Sequence, residues 1–131
     1  MSYQLSQKSL DKLHGVSFDL VQVVKRAIEL TDIDFGVSEG VRTLDRQKEL
    51  FDARKSRTMN SRHLTGDAVD LYAHVDGKAS WKPRYYDYIN DAMQEAALEL
   101  GIAIRWGGDW DGDGDRTDQT FNDLCHWELP A

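Results

Sequence analysis

Apolar residues recur at helical spacing in four parts of the chain. This spacing predicts helices over 6–14, 17–31, 43–55 and 84–100. Ser17 and Thr43 are suited to cap the second and third helices, and Gly101 is a natural stop for the fourth. The expected core positions of the second and third helices are Leu20, Val24, Ala27, Ile28, Leu44, Gln47, Leu50 and Phe51. Those of the fourth helix are Tyr85, Tyr88, Ile89, Ala92, Met93, Ala96 and Leu100.

Short apolar runs between the helices predict strands over 35–41, 68–72, 102–106 and 124–129. In the second of these, Val69 and Leu71 share one face, so Asp70 projects from the other. The polar stretch 56–66 lacks periodicity and is expected to be a loop, as is the Gly- and Asp-rich stretch 107–122. Strands and helices do not alternate in regular parallel units. We therefore expect an α+β fold, a small antiparallel sheet packed with about four helices, forming one domain over 1–131.

Composition narrows the class of protein. The chain has 131 residues, of which 40% are hydrophobic and 10% aromatic, so it is suited to one folded core rather than to disorder. Its net charge of -7 makes nucleic acid an unexpected partner, because neutralising phosphates requires surplus Lys and Arg. Cys125 stands alone, which excludes an internal disulfide. The sequence shows neither an apolar membrane span nor an export signal, so we expect no membrane insertion and synthesis in the cytoplasm.

The charge is unevenly distributed along the chain. Between Gly107 and Asp123, six aspartates stand against one arginine, a net charge of -5. From Arg42 to Arg62, seven basic residues stand against three acidic ones, a net charge of +4. The total therefore combines an acidic loop with a basic segment.

Two histidines lie close in sequence to aspartates and suggest a zinc site. His63, Asp70 and His126 can supply three protein ligands and leave a fourth position open, as hydrolytic zinc requires. Gly66 allows the chain to turn so that His63 folds back over the strand that carries Asp70. A histidine and an aspartate seven residues apart also occur by chance, so spacing alone leaves a metal site and an ordinary polar pair both open.

The string SRHLTGDAVD, over 61–70, resembles the signature of the zinc D-alanyl-D-alanine carboxypeptidase and L-alanyl-D-glutamate endopeptidase family, in which Ser, His, Gly and Asp follow one another in this order. The Asp-x-x-His string over 123–126 is similar to that family's second motif, and Glu-Gly-Val-Arg-Thr over 39–43 is similar to its upstream arginine motif. The three motifs occur in the family's order over most of the chain. This resemblance implies a hedgehog/D-Ala-D-Ala-peptidase-like fold.

The resemblance also implies roles for individual residues. His63, Asp70 and His126 would bind Zn²⁺, and Asp123 would be the general base that takes a proton from the zinc-bound water. Arg42 would bind substrate or polarise the scissile carbonyl, with a surface salt bridge as the alternative. Many carboxypeptidases of the wider group carry Glu where this chain has Asp123, and the aspartate is more similar to the phage endolysin branch.

Other polar residues near these motifs have two interpretations each. Ser61 could contact substrate or only turn the loop, and Glu128 could orient His126 or be a solvated edge carboxylate. His74 is expected to be a loop histidine rather than a replacement ligand. Cys125 adjoins His126, but strand neighbours point to opposite faces, so we expect it to pack rather than act as a nucleophile.

The acidic loop resembles the start of an EF-hand calcium loop. Its candidate ligands are Asp109, Asp111, Asp113 and Asp115. Gly114 holds the sixth place, but the twelfth is Thr120 instead of the bidentate Glu. Ca²⁺ binding and an acidic turn lining the cleft are the two alternatives.

From these features we expect a zinc endopeptidase that cuts peptidoglycan stem peptides between L-alanine and D-glutamate, as a phage endolysin. It would be a monomer in the host cytoplasm until a separate holin-type pore releases it to the cell wall. A D,D- or L,D-carboxypeptidase on the same site and a non-catalytic zinc-binding module are the alternatives.

Overall fold

Short antiparallel strands form the sheet on which the candidate site is built. The computed structural model describes residues 3–54, 61–109 and 123–130. Within these ranges the strands are β1 Phe35–Glu39, β2 Ala68–Val75, β3 Lys78–Ser80, β4 Arg105–Trp106 and β5 His126–Glu128. The strand order is β1-β2-β5-β4, and β3 also pairs with β2. All of these pairings are antiparallel.

The central strand β2 has partners along both of its edges. Asp70 pairs with Glu39 of β1 on one side and with His126 of β5 on the other. Further along β2, Ala73 pairs with Ser80 of β3. β1 pairs with residues 70–73 of β2 along one edge, and β5 and β3 follow one another along the opposite edge.

The helices are α1 Gln7–Lys12, α2 Phe18–Leu30, α3 Leu44–Asp52 and α4 Pro83–Leu100, and a 3₁₀ helix covers Arg62–Thr65. Thr43 caps α3 as predicted, since its side chain accepts a hydrogen bond from the backbone N–H of Arg46. Gly101 ends α4 in the left-handed conformation, with φ of 70°. Ser17 precedes α2 as predicted, but its side chain makes no capping hydrogen bond. No helix in the described ranges is long and apolar enough to cross a membrane.

The hydrophobic core lies between one face of the sheet and the pair of helices α2 and α4. Val69 and Leu71 of β2 and Trp127 of β5 point into it and are fully buried. The largest helical side chains that meet them are Leu20, Val23, Val24, Ile89 and Met93. Strand alternation therefore sends Asp70, His126 and Glu128 to the opposite face of the sheet.

The α+β class and the antiparallel sheet with four helices are confirmed, and several predicted details are wrong. In α3, Gln47 is fully buried whereas Leu44 and Phe51 are exposed, so the apolar stripe predicted there does not face the core. In α4 the fully buried tyrosine is Tyr86, while Tyr88 is exposed. Tyr86 is held there because its hydroxyl donates to Ser80 O and accepts from Ala73 N.

Strand lengths also differ from those predicted. The strand predicted over 102–106 is confined to Arg105–Trp106, and that over 124–129 to His126–Glu128. The predicted strand 68–72 continues to Val75 and turns into β3, which the hydrophobic pattern did not predict. Part of the loop predicted over 56–66 is the 3₁₀ helix.

Candidate metal centre

Adjacent strands place Asp70 and His126 side by side on the face of the sheet away from the core. The two residues are direct partners in the β2–β5 ladder. The Nδ1 atom of His126 lies 3.2 Å from Oδ1 of Asp70. The hydrogen-bonded register of the sheet thus sets this half of the cluster.

His63 reaches the same aspartate from the 3₁₀ helix. Ser61 caps this helix by accepting the backbone N–H of His63, and Gly66 ends it in the left-handed conformation with φ of 78°. The imidazole is buried, with Nε2 3.1 Å from Oδ1 of Asp70 and Nδ1 2.8 Å from Gly40 O. The predicted turn at Gly66, which folds His63 back over β2, is therefore present.

The structure brings together the three residues predicted as ligands. One potential ligand atom from each of His63, Asp70 and His126 lies within 4.8 Å of the others. Burial disfavours the ionised Asp70, but the hydrogen bonds from His126 and His63 outweigh this and hold the pKa of Asp70 well below its usual range. The cluster therefore combines an ionised carboxylate with two imidazoles, a donor set that suits zinc.

The second nitrogen of His126 is held by Glu128. Nε2 lies 2.8 Å from Oε1 of Glu128, and the other oxygen of this carboxylate accepts a 2.7 Å hydrogen bond from Arg105. Burial would lower the pKa of His126, but the hydrogen bonds to Asp70 and Glu128 overcome it and raise the value to about 9. Glu128 is only 4% exposed, so the alternative of a solvated edge carboxylate is wrong.

Arg42 is enclosed beside the cluster. Its Nε and Nη2 donate to the two oxygens of Glu39 at 2.8 and 2.9 Å, and its Nη1 donates to Gln47 at 2.6 Å. A longer contact of 3.4 Å joins Nη1 to Ser61 Oγ, and Nη2 lies 3.6 Å from Oδ2 of Asp70. The side chain is 8% exposed, so the alternative of a surface salt bridge is wrong.

Asp123 opens the tight turn that leads into β5. Its backbone carbonyl accepts the N–H of His126, and its own N–H donates to Gly107 O. One carboxylate oxygen accepts a 3.2 Å hydrogen bond from the thiol of Cys125. The charge of Asp123 also contributes to raising the pKa of His126.

Cys125 is partly buried against the core. Burial, reinforced by the nearby charges of Asp70 and Asp123, raises the pKa of its thiol. A thiol kept protonated in this way is unsuited to nucleophilic attack. Cys125 lies in the turn before β5 instead of in a strand, so it packs as predicted but for a different reason.

The remaining candidates lie apart from the cluster or outside the described residues. His74 is in β2, not in a loop as predicted, and its Nδ1 is 3.3 Å from Oδ2 of Asp34. Of the proposed calcium ligands, only Asp109 lies within the described residues, where its backbone forms an isolated antiparallel β-bridge with Trp106. The predictions for Asp111, Asp113 and Asp115 fall outside the described residues.

Sequence reasoning missed several partners of the cluster. Gly40 supplies the carbonyl that receives His63, and Gln47 and Arg105 anchor the charged groups around it. Gln47 carried a usable signal, because it is the polar member of an otherwise apolar helical stripe. Arg105 carried none, since only the β4–β5 register brings it opposite Glu128.

The fold and the cluster together define a class of peptidases. The structure is similar to that of the L-Ala D-Glu endopeptidase ChiX of Serratia marcescens, with a TM-score of 0.84 and 39% identity over 98% of this chain and 91% of that one. It shares its fold with the vancomycin-resistance D,D-dipeptidase VanXYg, with a TM-score of 0.55 and 19% identity over 87% of this chain and 50% of that one.

Sequence comparison identifies the family. The family model for phage L-alanyl-D-glutamate peptidases matches residues 1–130. The L-alanyl-D-glutamate peptidase of Escherichia phage T5 is 33% identical over 91% of this chain and 90% of its own length. The peptidoglycan L-alanyl-D-glutamate endopeptidase CwlK of Bacillus subtilis is 25% identical over 89% of this chain and 73% of its own. The chain belongs to the phage L-alanyl-D-glutamate peptidase family and is an enzyme, which confirms the resemblance found in its motifs.

Proposed function

We propose that this protein is a zinc-dependent endopeptidase that hydrolyses the L-alanyl–D-glutamate bond of the peptidoglycan stem peptide. His63, Asp70 and His126 would hold the Zn²⁺. The observation that carries the metal assignment is the convergence of these three ligand atoms within 4.8 Å, in a chain whose family is defined by this peptidase activity.

The environment of the cluster fits a zinc ion. His63 can donate its Nδ1 proton to Gly40 O, which leaves the Nε2 lone pair directed at the cluster. His126 can likewise donate its Nε2 proton to Glu128 and present Nδ1. Metal-binding histidines in proteins are usually oriented by such a bond from the second nitrogen. Each imidazole is therefore oriented so that the nitrogen facing the cluster can bind a metal once it carries no proton.

When bound, Zn²⁺ lowers the pKa of a coordinated water to about 7 and polarises a carbonyl group. Asp123 is the proposed general base: it accepts the proton of the attacking water and returns it to the leaving amine. Three observations support this role: its place three residues before His126, its turn bond to that residue, and its electrostatic effect on that imidazole. Bond cleavage then releases the L-alanine carboxylate and the free amine of D-glutamate.

Arg42 and Ser61 have supporting roles in this proposal. The donors of Arg42 are directed at Glu39, Gln47 and Ser61, so its positive charge acts on the site from a fixed position. We propose that this charge stabilises negative charge on the bound substrate during hydrolysis. The Ser61 oxygen accepts from His63 N and from Arg42, which leaves its hydroxyl proton for a substrate acceptor.

The proposed biological setting is host lysis. As a phage endolysin, the protein would act as a monomer on the cell wall after release through a separate holin-type pore. The family membership supports the cell-wall substrate. Dependence on the pore, the oligomeric state and a stay in the host cytoplasm are predictions from the sequence.

The test is metal content combined with muropeptide cleavage, with products identified by mass. Wild-type protein should bind about one Zn²⁺ and release the stem peptide beyond L-alanine. His63→Ala and His126→Ala should lose zinc, whereas Asp123→Ala should retain zinc and lose cleavage. His74→Ala is the matched control, because this histidine also contacts a carboxylate but lies outside the cluster.

Different products would lead to different conclusions. Release of single D-amino acids would identify a carboxypeptidase, and tight zinc binding without any cleavage would identify a non-catalytic module. Full zinc occupancy in either histidine variant would refute the ligand assignment. Repeating the assay with a calcium-selective chelator tests whether the acidic loop contributes, and unchanged activity would exclude a requirement for Ca²⁺.

A further inference from the structure

The buried carboxylate of Glu128 lies outside the three proposed ligands and the proposed base. It follows His126 by two residues in β5, so both side chains project from the same face of the sheet. In the β4–β5 ladder its direct partner is Arg105. The sheet thus aligns Arg105, Glu128 and His126 in a row that ends at the cluster.

Burial distinguishes this carboxylate from that of an exposed ion pair of similar length. Arg26 and Glu99 form a salt bridge at 2.7 Å, but both side chains are about two-fifths exposed. The Arg105–Glu128 salt bridge is equally short, yet the Glu128 side chain is only 6% exposed. Burying a carboxylate is costly unless both of its oxygens are paired, and a salt bridge to an arginine can form without such burial. The second oxygen of Glu128 is used for His126 at 2.8 Å.

The His126–Glu128 hydrogen bond is also shorter and more buried than the contact between His74 and Asp34. His74 and Asp34 lie 3.3 Å apart, with side chains 41% and 31% exposed. The His126–Glu128 pair is shorter and shielded from water, and charge-assisted bonds of that kind are the stronger ones. Its geometry fixes the ring orientation, with Nε2 facing Glu128 and Nδ1 facing Asp70.

We propose that Glu128 is a positioning residue of the metal centre. It keeps the proton of His126 on Nε2, so that Nδ1 faces Asp70 and is available to the metal, and Arg105 anchors the carboxylate from the other side. This inference rests on the proposed zinc site, and it adds a residue that acts through His126 without touching the metal.

The test is zinc affinity, measured by competition with a chromogenic chelator, in the wild type, Glu128→Ala and Glu128→Gln. Loss of such an outer partner typically weakens metal binding by about 10- to 100-fold. We expect Glu128→Ala to fall in this range. Glu128→Gln should lose less, because the amide oxygen still accepts from Nε2. Glu99→Gln, which neutralises the exposed Arg26 partner, is the matched control and should bind zinc as the wild type does.

Cobalt substitution supplies a second readout that a purely structural role would not change. The visible absorption of the Co²⁺-loaded protein should shift in both Glu128 variants and remain unchanged in Glu99→Gln. Circular dichroism establishes that each variant is folded, and the isosteric Glu128→Gln decides the outcome if Glu128→Ala does not fold. A folded Glu128→Gln with wild-type affinity and spectrum would overturn the inference. A wild-type protein that binds no zinc would instead overturn the proposed function.

Discussion

Replacing Arg42 by alanine tests whether the burial of its ion pair, rather than the contact alone, determines how much this residue stabilises the folded protein. The chain contains two arginines with nearly the same geometry. Arg42 donates hydrogen bonds to both oxygens of Glu39 at 2.8 and 2.9 Å, and Arg26 donates to both oxygens of Glu99 at 2.7 and 3.2 Å. The Arg42 side chain is 8% exposed and the Arg26 side chain 40%. The two variants therefore differ in the burial of the ion pair and in the additional hydrogen bond from Arg42 to Gln47.

The expected cost follows from what Arg42→Ala leaves behind. The Glu39 carboxylate, only 24% exposed, loses its bidentate partner, and the fully buried Gln47 loses the donor 2.6 Å from its side-chain oxygen. Removing one member of a buried pair costs about 3 to 5 kcal/mol. For a domain of this size that corresponds to a fall in Tm of roughly 10 to 20 °C. Arg26→Ala should change Tm by about 2 °C or less, because exposed ion pairs contribute little.

The assay is thermal unfolding of the metal-free protein in a chelating buffer, which removes any contribution from bound metal to the apparent stability. Arg42→Lys should fall between the wild type and Arg42→Ala, because lysine keeps the charge but cannot form the planar fork. The reasoning fails if Arg42→Ala melts within about 2 °C of the wild type, or if Arg26→Ala is equally destabilised. Arg42 would then have to be explained by substrate contact alone.

Three further predictions concern the loop into β5 and the titrating groups beside the metal site. Gly107→Ala should lower kcat while leaving zinc stoichiometry unchanged, because an added Cβ would collide with the backbone of Asp123; wild-type kcat would contradict this contact. Zinc affinity should increase about tenfold per pH unit up to about pH 9 and then level off, because His126 stays protonated below its raised pKa and the proton competes with the metal. Chelator competition from pH 7 to 10 measures this affinity, and a profile that does not change with pH would disprove the prediction. Cys125 should react slowly with iodoacetamide in the native protein and rapidly after unfolding, because burial raises the pKa of its thiol; equal rates would show that the thiol is accessible.

The elements predicted most accurately are those whose signals are local. Helix α4 begins one residue from its predicted start and ends at Leu100, just before Gly101, where periodicity and a glycine stop agree. Strand β3 also had a local signal, which the hydrophobic pattern hid. Asp76 and Gly77 both have positive φ, the conformation of a tight hairpin turn, and an Asp-Gly pair is a strong indicator of one. Because β3 itself is mostly exposed, its residues show no apolar alternation.

Errors arose where hydrogen bonds of particular side chains decide which side chain is buried. Gln47 displaces Leu44 from the interior because Arg42 requires an acceptor there. Tyr86 is chosen over Tyr88 because its hydroxyl bridges β2 and Ser80. Hydrophobicity alone ranks Leu44 above Gln47 and does not separate Tyr86 from Tyr88, so it could not decide which member of each pair is buried.

The candidate ligands could be found from motifs, but the groups that orient them could not, because each comes from a different part of the fold. The Nδ1 atom of His63 is held by the carbonyl of Gly40, which precedes α3. His126 is held by Glu128, which is fixed in turn across the β4–β5 ladder. A Cβ at position 40 would collide with the backbone of α1, so even the carbonyl that receives His63 depends on helix packing. The motif specifies which atoms can bind a metal, whereas the packing of α1 and the register of β5 specify which nitrogen of each histidine is available.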